Sequence, residues 1–146
     1  MENYEIQETV EEQSQRPANY RYAVNPEVID TIYEQLLRKL IVEKKFRDPN
    51  YTAQAFAEEI GTNVRYVSAA VSLRFHQNYN SLVNSYRVRY ARMLLEDRRY
   101  NKWSVMRIAA ECGFAHRQTF YTAFARETNL SPLEYREKFN HNNTPT

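Results

Sequence analysis

The chain has 146 residues, with 20 basic and 18 acidic side chains, 42% apolar residues, five Pro, two Gly and one Cys. A chain of this size buries roughly two-thirds of its unfolded surface as one domain or two very small ones. Twelve Tyr, seven Phe and one Trp supply the bulk for a core despite a mean hydropathy of −0.77, which excludes global disorder. Two Gly exclude the many tight turns of a β-sandwich or barrel, leaving an all-α fold. One Cys excludes a disulfide framework and a Cys-based zinc site, and His76, His116 and His141 lack metal-ligand spacing. No metal or other cofactor is expected. No apolar run approaches the ~20 residues of a membrane span, and no signal-peptide pattern opens the chain, so a cytoplasmic protein is expected.

In chain order, residues 1–24 mix Glu, Gln, Ser, Asn and Tyr without apolar periodicity and read as a mobile acidic arm. Asn25 as N-cap and Pro26 in the first turn open a helix over about 26–46. Its inner positions are Val28, Ile29, Ile32, Tyr33, Leu36, Leu37, Leu40 and Ile41. Asp48, Pro49 and Asn50 make a break. Thr52 caps a short helix to Ile60, which Gly61 ends, and Asn63 caps another with Val64, Val67, Ala70 and Val71 inside. From Asn80 to about Arg98 the inner positions Leu82, Val83, Tyr86, Tyr90, Ala91, Leu94 and Leu95 predict one long amphipathic helix. Arg87, Arg89, Arg92, Arg98 and Arg99 fall on or near its polar side. Ser104 caps a helix through Cys112, Gly113 ends it, a further helix runs from about Arg117 to Thr128, and Ser131-Pro132 opens the last, through Phe139. The expected units are residues 25–98, residues 99–140 and a disordered tail over 141–146.

Charge is unevenly spread. Residues 1–30 hold two Arg against six Glu and one Asp, so residues 31–146 carry a net +7. Within 64–126 eleven basic side chains, ten of them Arg, face only Glu96, Asp97 and Glu111. An Arg-rich body of this kind suits phosphate contact. A weak repeat accompanies it. Phe56-Ala57 followed by Gly61 recurs as Ile108-Ala109 followed by Gly113, and Val67 and Val71 match Phe120 and Phe124. Each copy reads as a helix-turn-helix: a small Ala lets two helices approach, Gly allows the turn, and the apolar residues anchor the second helix while its outer face stays open.

The stretch Ile108-Ala109-Ala110-Glu111-Cys112-Gly113-Phe114, with Thr119-Phe120, Phe124, Ser131-Pro132 and Tyr135-Arg136, resembles the C-terminal signature of the AraC/XylS family of bacterial transcription regulators. Phe56-Ala57, Gly61, Val67-Ser68, Tyr86-Arg87 and Ala91-Leu94-Leu95 resemble its more variable first half. The resemblance covers about 40–140. It implies two helix-turn-helix units on a linking helix, double-stranded DNA as partner, activation with RNA polymerase as a further partner, and association with the nucleoid. Asn129 stands where the family carries Gly, and Asn tolerates the left-handed conformation. Ala125 precedes Arg126 where a basic pair is usual, and Ala69 stands where a long polar residue is common, so readout by the first unit rests mainly on Arg65.

The linking helix of about 19 residues is roughly 28 Å long, near the ~34 Å repeat of B-DNA, so a monomer or weak homodimer is expected to read two successive major-groove segments. Candidate base contacts are Arg65, Ser68, His116, Arg117, Gln118, Thr119 and Thr122, because Arg pairs with guanine, Gln with adenine and the Thr methyl with thymine. The resemblance points the same way for Gln118, Thr119 and Thr122. Candidate phosphate contacts are Asn63, Arg74, Lys102, Ser104, Tyr121 and Arg126. Arg87 and Arg136, each after a Tyr, are expected as internal ion-pair residues, Cys112 as a buried inert thiol, Trp103 as a hydrophobic staple and His76 in a solvated turn. No nucleophile and base converge, so catalysis is not expected, and a single Cys excludes the related DNA-repair methyltransferases. The rival reading is a protein-interaction or dimerisation module using Leu36, Leu40 and Ile41 of the first helix. The chain has no room for the ~150-residue effector domain of many such regulators, which suggests a small stand-alone regulator or the output segment of a longer sensor. The acidic arm suggests autoinhibition by covering the basic surface.

Overall fold

The computed structural model describes residues 24–140, and among them it has helices and no strand, the all-α fold expected. The expectations for the acidic arm and the tail fall on residues 1–23 and 141–146, outside the described residues. Val24, counted with the arm, is buried in the first core.

Helix α1 (Pro26–Leu37) starts as expected, with Asn25 Oδ1 accepting from Glu27 N–H at 2.7 Å. It does not continue regularly to residue 46. A wide π turn follows over Arg38–Val42, Lys44 is left-handed at φ 54°, and a 3₁₀ turn occupies Lys45–Arg47. This detour turns Phe46 into the core and leaves Ile41, predicted inside, 52% exposed beside Val42. Helices α2 (Ala53–Ile60) and α3 (Val64–Phe75) are capped by Thr52 and Asn63, and Gly61 between them is left-handed at φ 78°. His76 ends α3 in the left-handed conformation, exposed, as the solvated turn requires.

The linking helix α4 runs Tyr79–Glu96 from an N-cap at Asn78. A single inner stripe does not describe it. Tyr79, Leu82 and Val83 enter one core, with Tyr86 and Tyr90 half-buried beside them, whereas Val88, Ala91, Leu94 and Leu95 enter a second core. At 100° per residue the two sets are centred on different sides of the helix, with Val83 and Leu94 where they adjoin and Val88 farthest from the first set, which is why Val88, fully buried, escaped a search for one face. A 3₁₀ turn (Arg98–Tyr100) leads to α5 (Val105–Glu111), capped by Ser104, and α6 (Arg117–Thr128) ends on left-handed Asn129 at φ 60°. The last helix is only α7 (Pro132–Tyr135). It is held by a reciprocal capping box between Ser131 and Glu134 and continues as a π turn over Arg136–Asn140.

The repeat is longer than the motif matches suggested. Shifted by 53 residues, Pro26 falls on Tyr79, the turn Lys45–Arg47 on Arg98–Tyr100, Val64–Phe75 on Arg117–Thr128, and left-handed His76 on left-handed Asn129. Each copy is a leading helix, a 3₁₀ turn and a helix-turn-helix, and α4 both closes the first copy and leads the second. That double duty accounts for its two apolar faces.

Two devices set the copies relative to one another. Gly113, left-handed at φ 103°, lies so close to the Phe46–Arg47 backbone that a Cβ would stand 2.9 Å from Arg47 Cα. Arg47 forms an ion pair with the Glu111 carboxylate, donates through Nε to Glu111 O at 3.0 Å, and lies over the Tyr90 ring. Nothing local in the sequence signals this contact, because its partners are 64 residues apart.

Candidate nucleic-acid interface

The two second helices present different surfaces. In α6, Phe120, Ala123 and Phe124 are buried, while Arg117, Gln118, Thr119 and Thr122 are exposed, as is His116 at the N-cap. Gln118 Nε2 donates to Thr122 Oγ1 at 3.2 Å, one turn on. Arg117 lies over the half-buried Tyr121 ring at 4.7 Å. Thr119 and His116 turn toward the junction of the copies, lining with Pro49, Asn80, Asn84 and Arg87 a cleft of about 210 Å³. Sequence reasoning passed over the two asparagines because they belong to the other copy's last helix.

In α3, Val67, Ala69, Ala70 and Val71 are buried, leaving Arg65 and Ser68 exposed and Val64 half-buried. Ala69, placed on the reading face by comparison with the family, is 1% exposed and packs into the first core. Arg74 is engaged by α1: it forms an ion pair with Asp30 and lies over the Tyr33 ring at 5.3 Å.

Among the expected phosphate contacts, Asn63 Oδ1 and Ser104 Oγ are occupied as caps, accepting from Tyr66 N–H at 2.9 Å and Arg107 N–H at 3.0 Å. Lys102 and Arg126 are exposed. Neither these two nor Arg107 and Arg117 form an ion pair among the described residues, and all four are exposed at the α5–α6 end. Arg107 was not singled out from sequence. Its guanidinium stacks on Trp103 at 3.9 Å, and Trp103 in turn meets Tyr100 edge-on and packs against the second core. The indole thus supports a cation as well as packing.

Arg87 and Arg136 are internal, as expected, but neither pairs with a carboxylate among the described residues. Arg87 donates to Phe46 O at 2.6 Å, Asp48 O at 3.0 Å and Asn84 Oδ1 at 2.8 Å. Arg136 donates to Trp103 O at 2.8 Å. Each braces the loop entering its helix-turn-helix, and burial makes both guanidiniums weaker bases than usual. Cys112 is fully buried, and burial pushes its thiol up to about 12. Among the described residues no group of His, Cys, Asp and Glu is placed to hold a metal, and no helix is long and apolar enough to cross a membrane.

Residues 56–138, more than half of the chain, match the helix-turn-helix domain family of AraC type. The chain belongs to this family. Its members' domain binds DNA in transcription regulation, and this chain is a DNA-binding transcription regulator. Three solved structures share the fold. A Listeria innocua protein of unknown function is 21% identical at a TM-score of 0.65, over 73% of this chain and 95% of its own. The C-terminal domain of the response regulator yesN from Fusobacterium nucleatum is 23% identical at 0.61, over 72% and 99%. The C-terminal domain of AraT, a response regulator from Geobacillus stearothermophilus, is 21% identical at 0.61, over 78% and 86%. No curated relative matches the chain.

Proposed function

We propose that this regulator reads a bipartite site in double-stranded DNA, with α3 and α6 in successive major-groove segments on one face of the duplex. The observation that carries this reading is the repeat itself. Two equivalent recognition helices stand in fixed relation through one 18-residue helix, about 27 Å long against the ~34 Å repeat of B-DNA. The roles are unequal. Arg117, Gln118, Thr119 and Thr122, with His116, read base edges in the second segment, where a good bidentate pair is worth about 1–3 kcal/mol of discrimination. Arg65 and Ser68 provide the sparser readout of the first. Lys102 and Arg126, with the capped helix starts at Asn63 and Ser104, fix the register on phosphates. Arg74 contributes less than its charge suggests, because Asp30 already neutralises it.

Selection of bound duplexes from a randomised pool, with Arg117→Ala and Arg65→Ala in parallel, tests the reading. Two short elements about one helical turn apart are expected, the α6 element stronger, each relaxed by its own variant. Enrichment of one element alone reduces the first copy to a phosphate anchor. Binding that barely weakens with salt contradicts DNA as the partner, because releasing counterions from several phosphates makes affinity fall steeply.

The rival interaction seam has little left to offer. Leu36 and Leu40 are fully buried against the first core, so only Ile41, with Val42, remains outside. We propose a monomer on DNA, in the cytoplasm at the nucleoid, with polymerase contact as the route to activation.

A further inference from the structure

Tyr121, grouped with the phosphate contacts on sequence grounds, has a different geometry from the exposed residues beside it. Its ring stands edge-on to Phe120 at 5.7 Å and 88°, and Phe120 is fully buried. A rigid ring anchored to the core therefore carries the Arg117 guanidinium, 4.7 Å from its centroid and one helical turn away. We infer that Tyr121 is a positioning residue: its aromatic face holds the Arg117 guanidinium in place before DNA arrives, so that Arg117 reads its base without first being ordered. This rests on the reading of α6 as a recognition helix.

The chemistry favours such a role. An exposed Arg side chain loses much rotamer freedom on binding, and restriction in advance reduces that loss. A guanidinium lying on a ring face keeps its in-plane N–H edges directed outward, and those edges pair with guanine O6 and N7. The neighbouring pair repeats the arrangement by hydrogen bonding, Gln118 being held by Thr122 one turn on. The matching positions of the other copy hold different residues. Val64 and Ser68 stand where Arg117 and Tyr121 would fall, and one turn after Arg65 comes the buried methyl of Ala69.

The test uses the full chain, the duplex it enriches from a randomised pool, and the same duplex altered at the base pair that Arg117→Ala relaxes. Tyr121→Phe keeps the ring and is expected to bind both duplexes as the wild type does. Tyr121→Leu is expected to weaken the enriched duplex about two- to fivefold and to leave the altered one unchanged. Adding Tyr121→Leu to Arg117→Ala is expected to change nothing further. Without DNA, the Arg117 side-chain Nε–H resonance should show a ring-current shift in the wild type and Tyr121→Phe that disappears in Tyr121→Leu, with thermal melting checking that each variant folds. Equal weakening on both duplexes by Tyr121→Phe, with a shallower salt dependence, makes the phenol a phosphate contact and overturns the inference. So do additive losses in the double variant, or no ring-current shift in the wild type. If the shift is present and Arg117→Ala relaxes no base pair, the recognition role of Arg117 has failed, and the inference fails with it, by a separate readout.

Discussion

The two copies share a scaffold and differ in what they leave open. Each has a leading helix, a 3₁₀ turn, a capped helix, a left-handed glycine beside the turn and a second helix ending on a left-handed non-glycine residue. Each has an arginine hydrogen-bonded to the carbonyls of its entry loop. At matched positions of the second helices, however, Ala69 is buried where Thr122 is exposed, Ser68 stands opposite Tyr121, and Val64 opposite Arg117. The leading helices differ as well: Asp30 on α1 ties up Arg74, and Val83 falls at the matching position on α4, inside the first core. The comparison teaches that the repeat conserves the residues that brace and turn the chain, whereas readout depends on a few outward positions that vary independently of it.

The glycines give the largest expected contrast. At Gly61 a Cβ meets nothing within 4 Å, so Gly61→Ala bears only the left-handed penalty, about 1–2 kcal/mol. Gly113→Ala adds a clash with backbone that has no room to move and should lose at least about 3 kcal/mol, read by denaturant unfolding. Equal losses would mean that the copies are not in contact through this turn.

The arginine clasps come next. Arg87→Ala removes three hydrogen bonds and should destabilise by about 2–3 kcal/mol. Arg136→Ala should lose about 1–2 kcal/mol, since its Nε is already buried without a partner. A reversed order in thermal melts would overturn the ranking of the two braces.

A smaller effect separates the copies by pH. The Tyr51 hydroxyl, followed by Lys39 and Lys45, holds the Glu59 carboxyl below its usual range. A lowered folded pKa contributes stability above the unfolded value and loses it as pH falls through the folded one. Acid should therefore loosen the first copy through Glu59, and Glu59→Gln should flatten that loss in melts between about pH 3 and 6. The matching position in the second copy, with Gly61 falling on Gly113, is Glu111, which pairs across the junction with Arg47. The smallest effect concerns the Cys112 thiol: buried and raised to about 12, it should resist alkylating reagents at pH 8 until the protein unfolds, with DNA binding unchanged before then.

Much of this was legible in the chain. Asn25, Thr52, Asn63 and Ser104 cap the helices assigned to them, because a cap is a local exchange between one side chain and a backbone N–H two or three residues on. The turn glycines and the helix-turn-helix pattern follow from equally local constraints. What stayed hidden was set by packing between distant segments. Ile41 continues a helical period but is turned outward by the π turn that brings Phe46 inward, and Val88 lies off the stripe because α4 serves two cores. Arg47 reaches Glu111 across the junction, and Ala69 is covered by its own core.

The sequence by itself determined that this chain is helical, that it repeats a helix-turn-helix, and which residues cap and end each helix, since these depend on interactions spanning a few residues. Tertiary structure decided how far the repeat extends, which face of each helix remains open, and how the two reading helices are held together. Those outcomes depend on residues up to 64 positions apart meeting in space, and no local pattern records such a meeting.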